Sequence, residues 1–166
     1  PIVSLKDTDE GLNYEVLLRL RMLDGSIISP GSFLPAAERY NLVTNIDRWV
    51  IENTLFWISR NTEKLSHINT VSINLSGQSL SDKAMLSFIL RKFQQGNVPA
   101  EKIKFEVTET SAIANLRDAR VFMKKISDLG CQFALDDFGS GLSSFAYLKS
   151  LSVDVLKIDG MFIKDM

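Results

Sequence analysis

Six side chains with oxygen or nitrogen at their tips recur at matching places in otherwise apolar segments. Glu15 lies among Val16, Leu17 and Leu18; Asn74 and Glu106 sit late in two short apolar runs. Asp136 and Asp137 close a third run, Phe133-Ala134-Leu135, and Lys157 comes near the end of a fourth. Two adjacent aspartates at the end of a buried strand raise each other's cost of ionising. Gathering several carboxylates in one place is prohibitive unless a cation neutralises them. His67 and Cys131 are the only histidine and cysteine, so a multi-histidine or thiolate cluster is excluded. Carboxylates with one amide are the donors of a hard cation, Mg²⁺ or Mn²⁺. An adjacent aspartate pair can serve two such ions, one carboxylate bridging and the other binding terminally. Two ions about 3.5–4 Å apart clamp a phosphate ester and activate water against it. Lys157 would orient that water or steady developing charge.

The elements that must position these groups follow from periodicity. Residues 71–75, 103–107, 132–135 and 153–158 have the length and the β-branched or aromatic content of strands. Helical patterns cover residues 80–93 and 116–129, the latter with a cap at Asn115 and a stop at Gly130. Upstream, residues 46–59 carry Trp49, Val50, Leu55 and Trp57 at amphipathic spacing, residues 32–40 predict a further helix, and residues 143–149 a short one. Strand and helix alternating at this spacing predict a parallel α/β sheet. At the carboxyl ends of such strands the named residues would meet in one bowl. The opening differs: residues 2–5 and 14–21 read as a hairpin, hence antiparallel.

Composition sets the outer bounds. The chain has 166 residues, 19 basic against 20 acidic, for a net charge of −1, and 45% hydrophobic content. One domain with a sizeable core is expected, covering residues 1–166. No broad basic field invites duplex nucleic acid. No apolar run approaches the roughly 18 residues that span a bilayer, and no leader opens the sequence, so a cytoplasmic domain without membrane insertion is expected.

The segment Tyr14-Glu15-Val16-Leu17-Leu18-Arg19-Leu20-Arg21 resembles the signature of EAL domains, bacterial cyclic di-GMP phosphodiesterases. Blocks similar to that family follow in its order: "SPGSFLPAAERYNLVTNIDRWVI", "VSINLSGQSL", "FEVTET", "LDDFGSGLSSFAYL" and "VDVLKIDGMFI". The resemblance implies a TIM-like (β/α)8 barrel with an antiparallel first strand. It implies hydrolysis of cyclic di-GMP to linear pGpG with a two-metal site of Mg²⁺ or Mn²⁺. Glu15, Asn74, Glu106 and Asp136 look like ligands of one ion, and Asp136 and Asp137 of the second. Lys157 resembles the lysine near the catalytic water. Glu109 resembles the glutamate that holds the loop of residues 138–144, which also contributes to homodimerisation in relatives. Leu17 looks like a guanine contact and Arg19 a phosphate contact.

Val16 stands where the family motif has alanine, Ser140 for threonine, Leu142 for tyrosine and Gly160 for arginine; none removes a ligand. The family barrel needs about 250 residues, so the resemblance makes this a partial domain. The missing strands would carry a further acidic ligand and a glutamine. The expected setting is a longer protein with regulatory domains, in some cases tethered to the inner membrane. A catalytically inactive cyclic di-GMP receptor and a protein-interaction scaffold are the competing readings. The resemblance implies that receptor relatives often lose the motif glutamate or an aspartate of the pair, and the scaffold reading predicts broken metal positions; the ligand positions present here are intact.

Overall fold

The computed structural model describes residues 11–139 and 146–162. Five parallel strands form the main sheet in simple sequence order. They are β1 (Leu12–Val16), β4 (Ile68–Asn74), β5 (Ile103–Thr108), β6 (Gln132–Phe138) and β7 (Val155–Ile158). Two short strands, β2 (Leu20–Arg21) and β3 (Ile27–Ile28), pair antiparallel apart from it. The helices are α1 (Pro30–Arg39), α2 (Val43–Arg60), α3 (Gly77–Leu80), α4 (Lys83–Gln95), α5 (Glu109–Ala114) and α6 (Leu116–Ser127). Neighbouring strands joined by crossover helices in sequence order are the arrangement of part of a βα barrel.

The central strands β4, β5 and β6 bury most of their apolar residues because helices and neighbouring strands cover them, whereas β1 and β7 have no fully buried residue. Ile73, Ile103, Phe105, Phe133 and Leu135 are fully buried. Against them pack Ile51, Leu55 and Ile58 of α2, Met85 and Ile89 of α4, and Phe122, Met123 and Ile126 of α6. Helix starts are chemically marked. The Asp82 side chain accepts the Ala84 N–H at 2.7 Å to open α4, and the Thr108 hydroxyl accepts the Ser111 N–H to open α5. Asn115 does sit at the start of α6, but its amide goes to Ser81 and Asp118 rather than to the helix backbone.

The expectation for the opening changes. The stretch 14–21 is not one strand of a hairpin: Tyr14 to Val16 lie in β1, which runs parallel to β4, and Leu20–Arg21 turn away into the small antiparallel pair. Residues 2–5, the other half of that reading, lie outside the described residues, as do residues 143–145 of the short helix. Trp49 and Trp57 of the expected amphipathic helix are 58% and 45% exposed and line a groove with Tyr14, Glu15 and Val16 of β1. Among the described residues β1 and β7 have no further strand beyond them, so the sheet has two open edges.

Candidate functional site

Strand register decides which side chains share a face. Glu15 on β1 pairs with Ser72 on β4, and Asn74 lies two residues further along. Asn74 pairs with Glu106, Glu106 with Ala134, and Asp136 lies two beyond Ala134. Every step is a direct neighbour or a shift of two, and side chains two apart point the same way. Glu15, Asn74, Glu106 and Asp136 therefore occupy one face as a staircase rather than a level row, the stagger expected of a closing barrel.

The aspartate pair needs a further device, since adjacent residues in a regular strand face opposite ways. Leu135 pairs with Leu156 and Phe138 with Ile158. Two residues on β6, Asp136 and Asp137, thus stand opposite the single Lys157 on β7. This is a β-bulge, which kinks a strand and re-aims its side chains. Asp137 takes a left-handed backbone with φ of 52°, a conformation costing about 1–2 kcal/mol for a residue with a Cβ. Its N–H is held by the Asp136 carboxylate at 3.0 Å.

The side chains converge on the Lys157 ammonium. It donates to Glu106 at 2.5 Å and to Asp136 at 2.9 Å, and lies 3.8 Å from Glu15. The Asn74 amide donates to the other Glu15 oxygen at 2.8 Å. Burial works to lower the Lys157 pKa, but hydrogen bonds and charge from Glu106 and Asp136 outweigh it and hold it above the ordinary lysine range. At Asp137 burial first, then the charges of Asp136 and Asp159, raise the carboxyl pKa against the pull of Lys157. Three carboxylates around one ammonium leave two uncompensated negative charges. A divalent cation would offset that charge, and carboxylate and amide oxygens are its preferred donors. Among the described residues no three acids close into a preformed cage; the ammonium stands between them instead.

The remaining predicted residues flank this cluster. Glu109, the first residue of α5, is fully buried. It accepts the Gly139 N–H at 2.8 Å on one oxygen and the Tyr147 hydroxyl on the other. Of the loop assigned to it, residues 140–144 lie outside the described residues. Leu17 is 56% exposed and lines two recesses. One, of about 350 Å³, also holds Asn74 and Glu106. The other, a groove of about 820 Å³, also holds Glu15, Arg19, Trp49 and Trp57. The Arg19 guanidinium is exposed and donates to the neighbouring Leu18 carbonyl. It shares the groove with Glu15 but is not part of the carboxylate cluster.

Sequence reasoning missed Asp47. It lies on α2 in step with Val43 and Ile51, four residues either way, which places it on the buried face. That spacing was the available signal. Its carboxylate accepts the Ser76 N–H at 2.9 Å and the Ser79 hydroxyl at 2.7 Å, pinning the chain just beyond Asn74. Burial pushes the Asp47 pKa up, and the bonds from Ser76 and Ser79 pull it back in part. A raised folded-state pKa means a stability contribution that is full below the unfolded value of about 3.9 and lost as pH rises through the folded pKa. Asp47→Asn keeps an acceptor and removes the charge, so its stability should fall less over that rise than the wild type's. Asp47→Ala strands the Ser76 N–H and should lose about 1–3 kcal/mol. Urea unfolding at a series of pH values measures both, and equal pH slopes for wild type and Asp47→Asn would contradict the assignment.

The family model described as EAL domain matches residues 1–166. The cyclic di-GMP phosphodiesterase PdeB of Shewanella oneidensis is 41% identical over the whole chain, and cyclic di-GMP phosphodiesterase PdeF of Escherichia coli is 40% identical over 92% of it. The chain spans 19% and 20% of the lengths of these two relatives. The crystal structure of the FimX EAL domain from Pseudomonas aeruginosa bound to c-di-GMP superposes with a TM-score of 0.86 at 34% identity. That alignment covers 96% of this chain and 63% of that one. In the described part, no helix is long and apolar enough to cross a membrane.

Proposed function

Since the chain belongs to the EAL domain family, we propose that it supplies the acidic half of a metal-dependent phosphodiesterase that opens cyclic di-GMP to linear pGpG. The observation carrying this reading is the single-face staircase of Glu15, Asn74, Glu106 and Asp136 around Lys157. Phosphodiesterase names among the relatives and a c-di-GMP-bound structural neighbour support the substrate.

Glu15, Asn74, Glu106 and Asp136 would hold one Mg²⁺ or Mn²⁺, and Asp136 with Asp137 a second. When bound, such ions polarise the phosphate and lower the pKa of a water to near neutrality. The protein's part is geometric. Asn74 gives its N–H to Glu15, which fixes that carboxylate and leaves the amide oxygen as a donor to a cation. The bulge sets two successive aspartates opposite the single Lys157, and Asp136 bonds to its ammonium. The ammonium, held charged by its partners, steadies negative charge developing on the phosphate. Leu17 offers an apolar surface to a guanine, and Arg19, on the same groove, a guanidinium to a phosphate.

The test is to incubate the protein carrying this domain with cyclic di-GMP, with and without Mg²⁺. Linear product formed only with the metal is the expected result. Binding without turnover in either condition would instead make the domain a receptor, and absence of binding would overturn the substrate assignment altogether.

A further inference from the structure

The buried Glu109 carboxylate joins two points on either side of residues 140–145. One oxygen takes the Gly139 N–H and the other the Tyr147 hydroxyl. Gly139 lies two residues beyond Asp137, next to Phe138, with φ of 95°. A Cβ there would come within 2.8 Å of the Phe162 ring, so the backbone is packed as well as hydrogen-bonded at that point. Tyr147 is itself anchored: its ring packs against the core, and its carbonyl accepts both the N–H and the hydroxyl of Ser150. A fully buried carboxylate needs donors to stay in place. In the described residues Tyr147 is the side chain that supplies one, from the far side of the segment.

We propose that Tyr147 is a positioning residue for the aspartate pair: its hydroxyl fixes the Glu109 carboxylate, which holds Gly139 and, through it, the bulge that carries Asp136 and Asp137. The left-handed backbone at Asp137 is the strained point that such a clamp would hold in place. The part of the proposal that concerns metal binding rests on the phosphodiesterase reading above; the clamp itself does not.

Tyr147→Phe removes one oxygen and keeps the packed ring. Val98→Ala, a core-edge change away from the clamp, serves as the control for general destabilisation. Three readouts are taken on the full protein: hydrogen exchange at the Gly139 amide, Mn²⁺ binding followed by the loss of the free-ion EPR signal, and steady-state turnover of cyclic di-GMP. Tyr147→Phe should speed Gly139 exchange and weaken Mn²⁺ binding by about tenfold, the scale of losing a partner that orients a ligand. The kcat should fall with KM little changed, and Val98→Ala should do none of this. Unchanged Gly139 exchange, or equal effects in Val98→Ala, overturns the proposal. If the wild type neither binds Mn²⁺ nor hydrolyses cyclic di-GMP, the phosphodiesterase reading fails, and the exchange rate alone decides the clamp.

Discussion

Replacing Glu15 by alanine is expected to lower cyclic di-GMP turnover on the order of 10³-fold, about 4 kcal/mol of transition-state stabilisation. Losing a residue that merely orients a ligand costs about 10–100-fold, and Glu15 is proposed as a ligand itself. The loss should appear in kcat, because Leu17 and Arg19, the proposed substrate contacts, are untouched. The fold should survive. Glu15 lies near the end of β1, an edge among the described residues, with its side chain 25% exposed, and its bonds go to Asn74 and Lys157, which keep other partners or solvent. Steady-state kinetics in Mg²⁺ with circular dichroism as the folding control makes the measurement. Turnover within a few-fold of wild type would refute the ligand role.

Lys157→Met should have the second largest effect, and on stability as well as rate. The substitution keeps the apolar stem and removes the cation shared by Glu15, Glu106 and Asp136. The Glu106 side chain is 1% exposed, so its carboxylate is left without an ion-pair partner in a low-dielectric setting. Breaking a fully buried pair costs about 3–5 kcal/mol. Lys157 is 29% exposed, and solvent screening brings the expected loss down to about 2 kcal/mol. Millimolar Mg²⁺ should restore part of that stability, since a ligand that binds the folded state stabilises it by mass action. Thermal unfolding with and without Mg²⁺ reads this directly. A variant as stable as wild type without metal would mean that the carboxylates need no central cation.

These two residues were legible in the sequence because strands write their facing into a period of two. Glu15, Asn74, Glu106 and Asp136 each interrupt an apolar run, and the register then carried them to one face. The stagger between them was not legible, because register belongs to pairs of strands and no single strand contains it. For the same reason the bulge escaped notice: it exists only where Asp136 and Asp137 meet Lys157 across β6 and β7. The opening was misread because Tyr14 to Arg21 carries strand-forming residues throughout, yet the chain leaves β1 after Val16. Trp49 and Trp57 satisfy a helical pattern that says which residues share a stripe, not whether another element covers it. Asp47 could have been found from its spacing with Val43 and Ile51. Tyr147 could not, since its partner Glu109 is 38 residues away.

An anomalous difference map from crystals grown with Mn²⁺ would address the site most directly. The prediction is one strong peak bounded by the oxygens of Glu15, Asn74, Glu106 and Asp136, with a second beside Asp137. Crystals saturated with Mn²⁺ that show no peak at those side chains, or peaks only elsewhere on the surface, would contradict the assignment of this acidic face as a metal centre.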